Sequence, residues 1–121
     1  STGVYSSLSD RRLKRDIRPL NSSLGSVKKL RPSTYEMKVA DNQKREIGFV
    51  AQEVKDFFPE LVHELTDDKT GKSLYMLNYS GIVVVAVKAI QEQQEIIEQQ
   101  LKRIEALEKK FERLQKKMRR F

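Results

Sequence analysis

The sequence predicts an α+β chain: a small mixed front part of β-hairpins and short helices, followed by one long C-terminal coiled-coil helix. Two observations carry this. Short apolar–polar alternations separated by turn residues fill the stretch up to about Asn78. After Gly81 there is neither Gly nor Pro, and the periodicity is helical and unbroken to Phe121.

In chain order, Ser22-Ser23 is placed to cap a short helix carrying Leu24, Val27 and Leu30, which Arg31-Pro32 ends. Tyr35, Met37 and Val39 alternate with polar residues as a half-buried strand does. Asp41-Asn42 is a turn and Glu46 to Val50 a second strand, which together make a hairpin. Ala51 to Phe58 reads as a short helix closed by Pro59. Leu61 to Leu65 and Ser73 to Leu77 flank Thr66-Asp67-Asp68-Lys69-Thr70-Gly71-Lys72, the signal for a second hairpin. His63 falls on the first of these strands, where a half-exposed strand residue is a better reading than a catalyst.

The last segment is rich in Glu, Gln, Lys, Leu and Ile, all good helix formers. At 1.5 Å per residue it is roughly 60 Å long, too long for so small a domain to cover. Ile90, Ile97, Ile104, Phe111 and Met118 recur every seventh position, with Leu107, Leu114 and Phe121 three residues after the last three. These are a and d positions of a heptad, and Arg103 at g with the following Glu108 at e would attract across a parallel coil. Gln93 and Gln100 at d weaken the seam but restrict its register. An amphipathic helix folding back on its own domain accounts for Ile82 to Ile90 but not for the distal half. Self-association accounts for both, and the heptads leave the number of strands open.

Composition narrows the function classes. The 121 residues are 38% hydrophobic and 34% charged without Trp, an apolar deficit that a partner chain would make good. The lack of Cys removes disulfides and thiolate metal sites, and a single histidine, His63, makes a zinc site improbable; no metal or cofactor is expected. The longest apolar run, Ile82 to Val87, is too short to span a bilayer, and Ser1 to Leu8 lacks the basic start of a signal peptide. Most of the net charge of +7 lies on the distal helix, where Lys102, Arg103, Lys109, Lys110, Arg113, Lys116, Lys117, Arg119 and Arg120 face only Glu105, Glu108 and Glu112. A basic-zipper DNA reader carries its basic region ahead of the coil, with base-reading side chains interleaved. Here the cations sit within the heptads, as a solvated helix end favoured by the C-terminal dipole, so neither a membrane nor a specific nucleic acid is an expected partner.

One cluster has the makings of chemistry: Ser9-Asp10-Arg11-Arg12-Leu13-Lys14. A serine hydroxyl attacks only when a base takes its proton, and lysine is such a base only when burial or nearby cations lower its pKa. Arg11, Arg12 and Arg15 can supply that cationic pressure. A spacing of five does not itself join Ser9 to Lys14: on a helix they lie about 140° apart, and on a strand they face opposite ways. A turn or a neighbouring subunit is required, and by itself the cluster reads as a cap followed by a solvated basic run.

Three blocks change that balance. Ser9-Asp10-Arg11-Arg12-Leu13-Lys14-Arg15-Asp16-Ile17, then Ile47-Gly48-Phe49-Val50-Ala51-Gln52-Glu53-Val54 followed by Pro59-Glu60-Leu61-Val62, then Leu77-Asn78-Tyr79-Ser80-Gly81-Ile82 leading through Val87-Lys88-Ala89-Ile90 into the helix, stand in one order. In that order they resemble the endosialidase-type intramolecular chaperone family, peptidase family S74, over nearly the whole chain from Ser9. The resemblance implies a domain that ends phage tailspikes, tail fibres and neck appendages, with a related copy in a eukaryotic membrane-bound transcription factor. It implies a homotrimer with a parallel three-stranded coil, acting in the infected host cytoplasm, that aligns its parent chains for folding. It further implies release by autoproteolysis: Ser9 is the nucleophile on the Leu8 carbonyl, Lys14 the general base, Asp10 a residue that positions the loop, and Gln52 and Glu53 candidates for support.

On this reading residues 1–8 are the end of a parent protein or a flanking addition, residues 9–78 the chaperone body and residues 79–121 the coiled-coil helix. In the first of these, Val4 and Tyr5 could pair with a neighbour. A purely structural trimerisation module with a degenerate cleavage site is the main rival, and a nucleic-acid-binding coiled coil a weaker one.

Overall fold

A computed structural model describes residues 6–39 and 44–120, and these form an α+β fold with the long helix at its end. Helix α1 (Leu24–Val27), strands β1 (Ser33–Glu36) and β2 (Arg45–Gly48), helix α2 (Ala51–Lys55), strands β3 (Val62–Thr66) and β4 (Ser73–Leu77) and helix α3 (Tyr79–Arg119) follow one another. The strands make two separate antiparallel hairpins, β1–β2 with Thr34 opposite Ile47, and β3–β4 with His63 opposite Met76. In the β3–β4 turn the Asp67 carboxylate accepts from the Lys69 amide and the Thr70 hydroxyl, and Gly71 takes a φ of 68°, which glycine adopts without steric penalty.

Both hairpins and the long helix stand where the sequence places them; β4 keeps its expected bounds, β3 is shifted by one residue, and the strands of the first hairpin are shorter. Strand β1 stops at Glu36, so Met37 and Val39 lie beyond it and are exposed. Strand β2 ends at Gly48, since Phe49 and Val50 turn away to start α2. Helix α2 stops at Lys55, and Pro59, instead of closing it, opens a separate 3₁₀ turn, Pro59–Leu61. The Asp41-Asn42 turn, Val4, Tyr5 and the heptad position Phe121 lie outside the described residues.

The core is small. Val54 is completely buried, and Phe58, Leu61 and Val85 surround it, with Val27, Leu30, Phe49, Phe57, Val62, Leu77 and Ile82 packed around them. Helix α3 therefore completes the body with its first turns, through Ile82, Val85 and the buried Ala89. Its start is fixed twice: the Asn78 side chain accepts from the Gly81 amide (3.1 Å), and the Asn78 amide donates to the Leu61 carbonyl (2.8 Å). A Cβ on Gly81 would collide with the Leu61 side chain, so the close approach of the 3₁₀ turn to α3 depends on that glycine. From residue 93 onward α3 leaves the body and is exposed throughout, a free length of about 40 Å at 1.5 Å per residue.

Candidate functional site

The chain enters the body through an exposed segment built around one tight turn. Asp10 has extended backbone (φ −65°, ψ 134°) and its carboxylate accepts from the Arg12 amide at 2.8 Å, capping a 3₁₀ turn over Arg11–Leu13. The Arg12 guanidinium folds back onto the same carboxylate through Nε (3.1 Å) and Nη2 (2.8 Å). That side-chain pairing, with the Arg12 amide second, holds the Asp10 carboxyl below its usual range. The Leu13 amide returns to the Asp10 carbonyl and the Lys14 amide to the Arg11 carbonyl, both at 3.0 Å.

Three residues per turn bring the chain nearly full circle between Asp10 and Leu13. Lys14 then leaves in extended backbone beside the residue before the turn, and its Nζ donates to Ser9 Oγ at 2.6 Å. The turn that the spacing of five required is thus made within one chain. Asp10 makes it by capping, with its carboxylate bonded to Arg12. Arg12, counted among the cations that press on Lys14, is committed to Asp10 at 2.8 Å. Ser9, Lys14 and the adjoining Leu8 are exposed, so this pair meets water on its open side. Asp16 follows with a φ of 52°, a left-handed turn that Asp tolerates, and pairs with Arg18 at 3.0 Å.

The structure does not bring Gln52 and Glu53 to this pair. Glu53, in the first turn of α2, accepts both arms of Arg31 (2.9 and 3.0 Å), which hold its carboxyl low and tie α2 to the segment entering β1. Gln52 lines a shallow depression with Tyr35, Val50 and Tyr75. Both lie in the first turn of α2.

The second and third sequence blocks meet each other instead. The Tyr79 hydroxyl accepts from the Phe49 amide at 3.1 Å, and the two rings stand 6.4 Å apart at 39°. A Cβ on Gly48 would strike the Tyr79 and Tyr35 hydroxyls, so that glycine clears the space in which the two phenols meet. The Tyr79 hydroxyl, hydrogen-bonded to it, holds the Tyr35 phenol above its usual range. Much of the pattern in the second and third blocks is therefore a packing requirement.

Glu92 is a residue the sequence reading missed. It reaches from α3 to accept the Ser22 hydroxyl (2.5 Å) and the Ser23 amide (2.7 Å), capping α1 from a distance of 69 residues along the chain. Ser23 makes no capping bond of its own; its hydroxyl turns to the Asn21 carbonyl. Only the polarity of Glu92 amid the turns that face the body hinted at this. Among the described residues no cluster of metal-ligating side chains occurs, and no helix is long and apolar enough to cross a membrane.

Residues 9–63 match the family described as chaperone of endosialidase. Over 90 residues, 69% of this chain, it is 36% identical to the long tail fiber protein Gp37 of Escherichia phage AR1. Over 95 residues, 74% of this chain, it is 33% identical to Gp37 of Enterobacteria phage K3 and 34% identical to that of Enterobacteria phage M1. The matched part spans 8% of the AR1 and K3 proteins and 37% of the M1 protein.

Proposed function

The chain belongs, through residues 9–63, to the chaperone-of-endosialidase family, and from that premise we propose that it is an intramolecular chaperone of a phage tail fibre or tailspike that releases itself by cutting between Leu8 and Ser9. Three copies associate through α3 and hold three parent chain ends together, which makes the later alignment of those chains intramolecular. Cleavage then removes the clamp, and the finished fibre cannot revert by the route it came.

The observation that carries the cleavage is the 2.6 Å contact between Lys14 Nζ and Ser9 Oγ. With Lys14 as the free amine, it takes the Ser9 hydroxyl proton while Oγ adds to the Leu8 carbonyl carbon. The Leu8–Ser9 C–N bond breaks, its nitrogen takes up a proton, and the resulting ester is hydrolysed by water. As an ammonium, Lys14 only donates to Ser9 and the pair is idle. Burial of this exposed segment against the assembled parent chains would favour the amine, so that cutting follows assembly. The same exposure favours a second reading, in which the domain is a trimerisation module that does not cut.

Intact mass over time, on the wild type beside Ser9→Ala and Lys14→Arg, separates the two. Loss of residues 1–8 from the wild type alone supports autoproteolysis. Arginine keeps the charge but cannot serve as base, so Lys14→Arg should slow cleavage by about 10²–10⁴-fold. Unchanged masses throughout, in fibre-length protein shown to be trimeric, would leave the structural module.

A further inference from the structure

The body covers one side of α3 and leaves another open. Ile82, Val85 and Ala89 turn into the body, whereas Val83, Val87 and Ile90 are exposed, on a stripe about 140° away around the helix. That stripe continues the a positions of the coil back to Val83, in the second turn of α3. At its outer edge stand two valines that a solvated helix would not carry. Val84, at an outward b position, is 58% exposed and Val87, at e, 48%. Farther along, the b positions are Gln91, Glu98, Glu105 and Glu112, as suits water. The b face is apolar only at the level of the body.

A recess lies at that same level. Between Tyr79 and the β1–β2 hairpin an open, apolar cleft of about 420 Å³ is walled by Pro32, Thr34, Ile47, Phe49 and Tyr79, with Ile47 itself 84% exposed. In a parallel coil the e side of one helix runs against the g side of the next. Here Ile82 and Ala89 are the g positions, so the body occupies that side, and the e edge of a neighbouring α3 is the edge that faces it.

We propose that the cleft of each copy seats Val84 and Val87 of a neighbouring copy, so that three bodies close a ring around the start of the coil. This rests on the self-association put forward above and adds its residue-level contact. The area agrees: each chain exposes 11649 Å², where a compact chain of its mass exposes about 6,700 Å². The excess has the size of obligate interfaces, about 2,000–5,000 Å².

The absence of Cys makes a direct test available. The double variant Ile47→Cys, Val84→Cys of the whole chain is treated with a short bismaleimide and run on a denaturing gel. A ring of such contacts gives a covalent trimer, and neither single variant alone reaches that size. Association by light scattering with only monomer on the gel overturns the cleft contact and leaves self-association standing. A double variant and wild type that are both monomeric at every concentration overturn both. Ile47→Glu, at an exposed position, should leave the folded chain intact and weaken association by at least about tenfold; unchanged association overturns the contact.

Discussion

Glu92 does for α1 what its own serines do not. A four-residue helix has more unpaired amides than internal hydrogen bonds, and a carboxylate at its start is worth more than a hydroxyl. The Ser22 hydroxyl first, then the Ser23 amide, hold the Glu92 carboxyl below its ordinary 4.5, so the charged form is favoured by folding. The sign follows: a depressed carboxylate contributes stability above its unfolded value and loses it as pH falls through the folded one. Glu92→Gln should therefore melt at a lower temperature than wild type at pH 7. The gap should begin to close below about pH 4.5 and vanish once Glu92 is protonated in the folded chain. A gap constant down to pH 2 would mean that shape, not charge, does the capping. Ser9 and Lys14 depend on the same kind of local bond, through Asp10, but in a segment that no core residue restrains.

At the scale of elements, Leu61 is the junction on which the body turns. It ends the 3₁₀ turn, its carbonyl accepts the amide of the residue capping α3, and its side chain fills the space that Gly81 leaves open. Leu61→Ala should cost about 2–5 kcal/mol, read from the urea midpoint. Gly81→Ala gains helix propensity but meets Leu61, and the double variant should be more stable than the sum of the two single changes predicts. Strictly additive effects would show that the two do not touch. Much of this architecture was legible, because Gly71 and the break at Asn78 are local signals that no distant contact overrides. The over-long strand through Met37 and Val39 was not, since alternation continues in sequence where pairing has already stopped at Glu36. Spacing called for a turn between Ser9 and Lys14 but not for its kind, because helix and strand periods both hold the two apart and an Asp-capped 3₁₀ turn obeys neither. Asp10, followed two residues later by an arginine that can fold back onto it, was the missed signal.

The whole molecule is unbalanced as a single chain: among the described residues five apolar ones are buried, while the heptad residues from Ile90 to Met118 stand open to water. A lone helix of 27 residues beyond the body, crowded with cations at its end, has propensity but little else to hold it. If copies associate along the seam, folding and assembly are one equilibrium, and Tm must rise with protein concentration. Replacing Ile97 and Ile104 by Asp places charges at two a positions and should weaken association by at least about tenfold each. The body should survive this, because Val54, Phe58, Leu61 and Val85 lie on the other side of the split, at or before residue 85. The double variant should then be a monomer that melts at a concentration-independent temperature, with helix lost beyond residue 93 and the hairpins retained. A wild type whose Tm ignores concentration while its helix content stays full would require the helix to stand alone. Self-association, and the clamp built on it, would then have to be abandoned.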